Sequence, residues 1–147
     1  MIPALTRLRR LTRHERGLLW TAARTLALVR LALAVLRFPA FIRLAARLAR
    51  PPRPPLRTGY VFPEQLAAAV ARASKLVPGA SCLARAFTLR ILLVRHGHPA
   101  EVQIGVARGE DGHLTAHAWV ESEGRVIGDE LAGEFRRLPS LPLPHFR

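Results

Sequence analysis

Residues 81–96, from Ser81-Cys82-Leu83 to Val94-Arg95-His96, constrain the fold more than any other stretch. They read as a helix entered after Val77-Pro78-Gly79-Ala80 and stopped by Gly97. Ser81, Arg85, Thr88, Arg95 and His96 fall on one arc, and the remaining circumference is apolar apart from Arg90. A helix that is apolar on most sides cannot lie on a surface, so it must be the central element of its domain. Arg90 inside such a helix needs a carboxylate partner or a path for its head group to reach water. A structural role is assigned to it.

Elements that could wrap this helix are legible on both sides of it. Pro63 introduces a short helix from Glu64 to Ala73. Downstream come three strand-like segments: Glu101–Ala107, which alternates with period two, His113–Glu121 and Arg125–Asp129. Residues 109–112 and Ser122-Glu123-Gly124 form the turns. From Leu138 onward, Pro139, Pro142 and Pro144 point to an irregular wrap. The expected class is α+β, with the Cys82 helix packed on an antiparallel sheet, because each must bury its apolar face against the other.

Upstream, Leu5 to Arg50 is nearly all Leu, Ala, Val and Arg. These residue types predict a helix from Thr12 to Arg37 and a second from Pro39 to Arg50, with Pro39 in its first turn. Pro51-Pro52-Arg53-Pro54-Pro55 is expected to be an extended connector. Residues 1–60 hold 13 arginines and one acid, Glu15, whereas residues 61–147 hold 10 Lys/Arg and 9 Asp/Glu. The chain therefore divides into an Arg/Leu-rich helical extension with its connector, residues 1–55, and a nearly neutral domain, residues 56–147.

Leu18–Leu36 is long enough to span a bilayer, but Arg24 and Arg30 would each cost roughly 2.5–3.5 kcal/mol near its centre. A secretory signal fits poorly, because Arg interrupts the apolar stretch and no small-x-small cleavage site follows. Two readings of the basic helices stay open. One is a subdomain packed on the neutral half; the other is an amphipathic docking surface for a membrane or an acidic protein. Nucleic acid is not expected as a partner, since no nucleic-acid-binding motif accompanies the charge.

The sole cysteine, Cys82, stands in the predicted first turn of the central helix. An anionic sulfur there is stabilised by the helix dipole, and the free N–H groups of the helix start can hold an oxyanion. Centring the last turn on Glu123 sets Glu121 opposite Arg125, Trp119 opposite Ile127 and His117 opposite Asp129. A one-residue slip would separate that last pair. A carboxylate beside an imidazole fixes its tautomer and frees the other nitrogen to take a thiol proton. Cys82, His117 and Asp129 thus supply a nucleophile, a general base and an orienting group. The competing reading of Cys82 is a small core residue. Trp119 is a candidate to cover the histidine or line a substrate groove, against a plain core role; Gln103 is a candidate oxyanion donor whose face is open.

The strings Ser81-Cys82-Leu83-x-Arg85-Ala86, Arg95-x-Gly97-x-Pro99-Ala100-x-Val102-x-Ile104-Gly105-Val106, Ala116-His117-Ala118-Trp119-Val120-Glu121 and Gly128-Asp129 resemble the transglutaminase-like cysteine peptidases of lasso-peptide biosynthesis. The resemblance covers about residues 60–135; residues 1–55 match only in character. It implies a papain- or transglutaminase-like core, a Cys82–His117–Asp129 triad and hydrolysis that frees a core peptide from its leader. It further implies a separate small leader-recognition protein, since residues 1–60 show no winged-helix pattern, and an ATP-dependent, asparagine-synthetase-like cyclase as the next enzyme.

Rival readings are an acyl-transferring enzyme on the same triad and a non-catalytic docking protein. His96 and His98 lack an evident third ligand, so no metal is expected, and no Gly-rich loop suggests a nucleotide cofactor. His113 and His145 are read as solvated. A lone thiol fits a reducing cytoplasm, with the basic helices permitting a place at the inner face of the membrane.

Overall fold

The computed structural model describes residues 11–51 and 59–139. Among these described residues, four helices precede a four-stranded antiparallel sheet. The helices are α1 (Arg13–Val35), α2 (Phe38–Leu48), α3 (Pro63–Ala73) and α4 (Cys82–Arg95). The strands are β1 (Glu101–Arg108), β2 (Leu114–Ser122), β3 (Arg125–Val126) and β4 (Arg136–Arg137), in the order β3-β2-β1-β4. Part of the expected connector, residues 52–55, and the tail from 140, including His145, lie outside the described residues.

Local chemistry accounts for the helix limits. Thr12 caps α1 in a capping box: its Oγ1 accepts from the Glu15 N–H, and Glu15 accepts from the Thr12 N–H. Pro39 lies in the first turn of α2, where its missing N–H is harmless. Gln65 Oε1 accepts from the Phe62 N–H at the start of α3. At the end of α4 the N–H of Gly97 bonds the Val94 carbonyl and that of His98 bonds the Leu93 carbonyl, a Schellman arrangement.

Helix α4 is the central element. It packs on α1, α2, α3 and the sheet, and Phe87, Ile91, Leu92 and Leu93 are fully buried. Arg90 is buried too; its Nε donates to the Ala100 carbonyl at 3.2 Å. Burial pushes the Arg90 guanidinium below its ordinary range, and neighbouring Glu101 opposes that shift. The sheet contributes Val102, Ala118 and Val120 to the same core.

The basic helices share this core. Leu19, Ala22, Leu26, Val29 and Ala32 of α1, with Phe41 and Ala45 of α2, join one cluster with α3, α4 and the sheet. The change of charge near residue 55 is thus a change of surface character, and packing crosses it. By length and composition α1 could cross a membrane, yet a third of its apolar stretch is buried in this core. The packed-subdomain reading accounts for its inner face.

Candidate active site

Cys82 is the first residue of α4 and half-buried. Ser81 is the N-cap, and its Oγ accepts from the Ala84 N–H at 3.2 Å. The Arg85 N–H bonds the Ser81 carbonyl. The N–H groups of Cys82 and Leu83 are left without a hydrogen bond among the described residues, as helix geometry leaves first-turn amides.

The hairpin that carries the histidine differs from the expected register. Ser122 pairs with Arg125 and Glu121 with Val126, one residue off the predicted ladder. The cause is the turn: Glu123 at φ 51° and Gly124 at φ 76° make a two-residue connection of the kind that matches strand twist. The third strand is accordingly two residues long, Arg125–Val126, and not Arg125–Asp129.

The slip should part His117 from Asp129, but the chain leaves the ladder in time. The Ile127 N–H bonds the Val120 carbonyl, then Gly128 at φ 67° turns the backbone. A Cβ on Gly128 would lie 2.6 Å from that of Ala67, so glycine alone admits this approach to α3. Asp129 Oδ1 accepts from the Leu131 N–H at 2.9 Å, and Oδ2 lies 2.7 Å from His117 Nε2. An ionised carboxylate only accepts, which places the proton on Nε2 and leaves Nδ1 as the acceptor. Asp129 therefore reaches His117 from a loop, not from an opposed strand position.

Cys82, His117, Trp119, Gly128 and Asp129 line one cleft between α3, the start of α4 and the sheet. No hydrogen bond joins the Cys82 sulfur to the His117 ring. Trp119 is 2% exposed and its ring stacks beside His117 at 6.2 Å between centroids. Gln103 is buried opposite Trp119 on β1 and is not among the residues lining the cleft.

Three features escaped the sequence reading. Arg85 lines the cleft one turn after Cys82, a place that its i+3 spacing indicates. Phe135 packs on His117 at 4.9 Å, carried there by a short 3₁₀ turn (Ala132–Glu134) and by β4 pairing with β1. Glu121, buried beneath them, accepts from Trp119 Nε1 and from Arg137. Gly105 makes this stacking fit, since a Cβ there would stand 2.8 Å from both Phe135 and the Trp119 ring. The two remaining helix-end histidines are held by carbonyls: His96 Nδ1 by Leu92 and His98 Nε2 by Val61.

A profile of the transglutaminase-like superfamily matches residues 25–140, well over half of the chain. No curated protein and no solved structure matches it.

Proposed function

The chain belongs to the transglutaminase-like superfamily, and from that premise we propose that it is a cysteine peptidase which removes the leader from a lasso-peptide precursor. The observation that carries the reading is the 2.7 Å contact of His117 Nε2 with Asp129 in the cleft that Cys82 lines. Superfamily membership supports a cysteine peptidase or acyltransferase. The leader-peptidase assignment rests on the Ser81–Ala86, Ala116–Glu121 and Gly128-Asp129 strings.

In this reading Asp129 fixes the His117 ring with Nδ1 free to take the Cys82 proton. The sulfur attacks the carbonyl at the leader–core junction. The unpaired N–H groups of Cys82 and Leu83 stabilise the oxyanion. His117 returns the proton to the leaving amine, and water activated by His117 then hydrolyses the thioester. The core peptide passes to an asparagine-synthetase-like cyclase, and a separate small protein delivers the leader. The setting is cytoplasmic.

The test is reconstitution with precursor peptide and recognition protein, followed by mass spectrometry. Cys82→Ala is expected to abolish cleavage with an unchanged circular dichroism spectrum; persistent cleavage overturns the reading. Incorporation of an added amine at the cut site, in place of water, would assign acyl transfer to the same residues.

A further inference from the structure

Helix α1 has two faces, and the core of the described residues uses only one. Its outward face carries Trp20, Leu28, Leu31 and Val35, which are 63%, 43%, 59% and 69% exposed. At roughly 100° per residue these four fall within an arc of about 80°. The stripe runs on through Leu36 and Phe38 at the α1–α2 corner, both also exposed. Arg13, Arg16, Arg24 and Arg37 stand exposed along it, and none is paired with a carboxylate among the described residues. The one acid of α1 itself, Glu15, is engaged by Thr12 and lies 4.0 Å from Arg72.

We propose that this face docks the protein on an anionic membrane surface, with α1 lying in the plane of the headgroups. Trp, Leu and Phe along one stripe suit the acyl boundary, and arginines beside them suit anionic phosphates. An isolated apolar stripe would fit many partners; the unneutralised arginines around this one select a negatively charged surface. Arg24, inside the stripe, can lay its methylenes on the apolar boundary while its head group reaches the phosphates. A spanning arrangement would strip Leu26, Val29 and Ala22 from the core, whereas an in-plane arrangement leaves the fold intact.

Cosedimentation with vesicles of equimolar phosphatidylglycerol and phosphatidylcholine, against phosphatidylcholine alone, tests this on the full chain. Binding is expected to the anionic vesicles only, to weaken as salt rises, and to shift Trp20 emission to the blue, with Trp20→Phe removing that shift. Because Leu31 and Val35 are exposed, Leu31→Glu/Val35→Glu should keep the fold and lower vesicle partitioning about tenfold or more. Arg24→Gln/Arg37→Gln should also weaken it, and Cys82→Ala should bind like the parent, which separates this test from that of the peptidase reading. Equal binding to neutral vesicles, or binding unchanged in Leu31→Glu/Val35→Glu, overturns the proposal. So does failure to sediment with either vesicle, whether the face then proves to take a poly-glutamate peptide or a second copy of the chain.

Discussion

A methyl group on Gly128 would meet Ala67 of α3, and φ at Gly128 lies in the left-handed region. Gly128→Ala is therefore expected to lower stability by about 2–4 kcal/mol, of which about 1–2 kcal/mol is backbone strain. Adding Ala67→Gly should recover only the steric part, and urea unfolding of the four variants in a double-mutant cycle separates the two. Cleavage should fall further than stability, because Asp129 follows Gly128 directly. Glu121 makes a second expectation. It answers both the Trp119 indole and Arg137, so Glu121→Ala leaves a buried donor without a partner and should cost about 1–3 kcal/mol. Glu121→Gln retains an acceptor for Trp119 and should cost less. An equal loss in both variants would show that packing, not the hydrogen bonds, sets the value.

At the scale of elements, the capping box of α1 links stability to pH. Hydrogen bonds to Thr12 hold the Glu15 carboxyl below its ordinary value, with Arg72 and His14 acting in the same direction. A carboxyl lowered in the folded state contributes fully above its unfolded pKa and loses that contribution as pH falls through the folded one. Thermal melts should therefore show an acid-side decline below about pH 4.5 that is shallower in Glu15→Gln, which keeps the acceptor of the box. Thr12→Ala should cost about 1 kcal/mol at neutral pH. The Thr12-x-x-Glu15 pattern is visible in the sequence, as are the helix limits, because caps and prolines act within a few residues. The central place of α4 is legible for a similar reason: an apolar circumference leaves it no other. The hairpin register is not, because Glu123 adopts a left-handed backbone that its residue type does not announce. Strand β4 is equally silent, since two arginines carry no strand pattern and owe their pairing to β1. The meeting of His117 and Asp129 thus follows from a different path than opposed strand positions would give.

At the scale of the whole molecule, the sequence divides by charge but the core does not. Leu26 and Val29 of α1 are 0% and 1% exposed, and they pack in one cluster with the apolar side chains of α3 and α4. Arg30 adds a polar tie: its Nε donates to the Gly79 carbonyl, in the loop that delivers Ser81 and Cys82 to the start of α4. A fragment spanning residues 56–147 would expose the faces of α3 and α4 that α1 and α2 cover. Each large apolar side chain left in water forfeits about 1.5–3 kcal/mol, a sum that exceeds what a domain of this size holds in reserve. The fragment is therefore expected to bind a hydrophobic dye, to unfold without a cooperative transition and to lack activity, whereas the full chain unfolds in one step. Supplying residues 11–51 as a separate peptide should restore both cooperativity and dye exclusion, since the missing contacts are packing and do not need covalent continuity. A fragment that melts cooperatively by itself would show that α1 and α2 are an addition to a self-sufficient core. The exposed arginines of α1 would then have to be explained by the outer face alone.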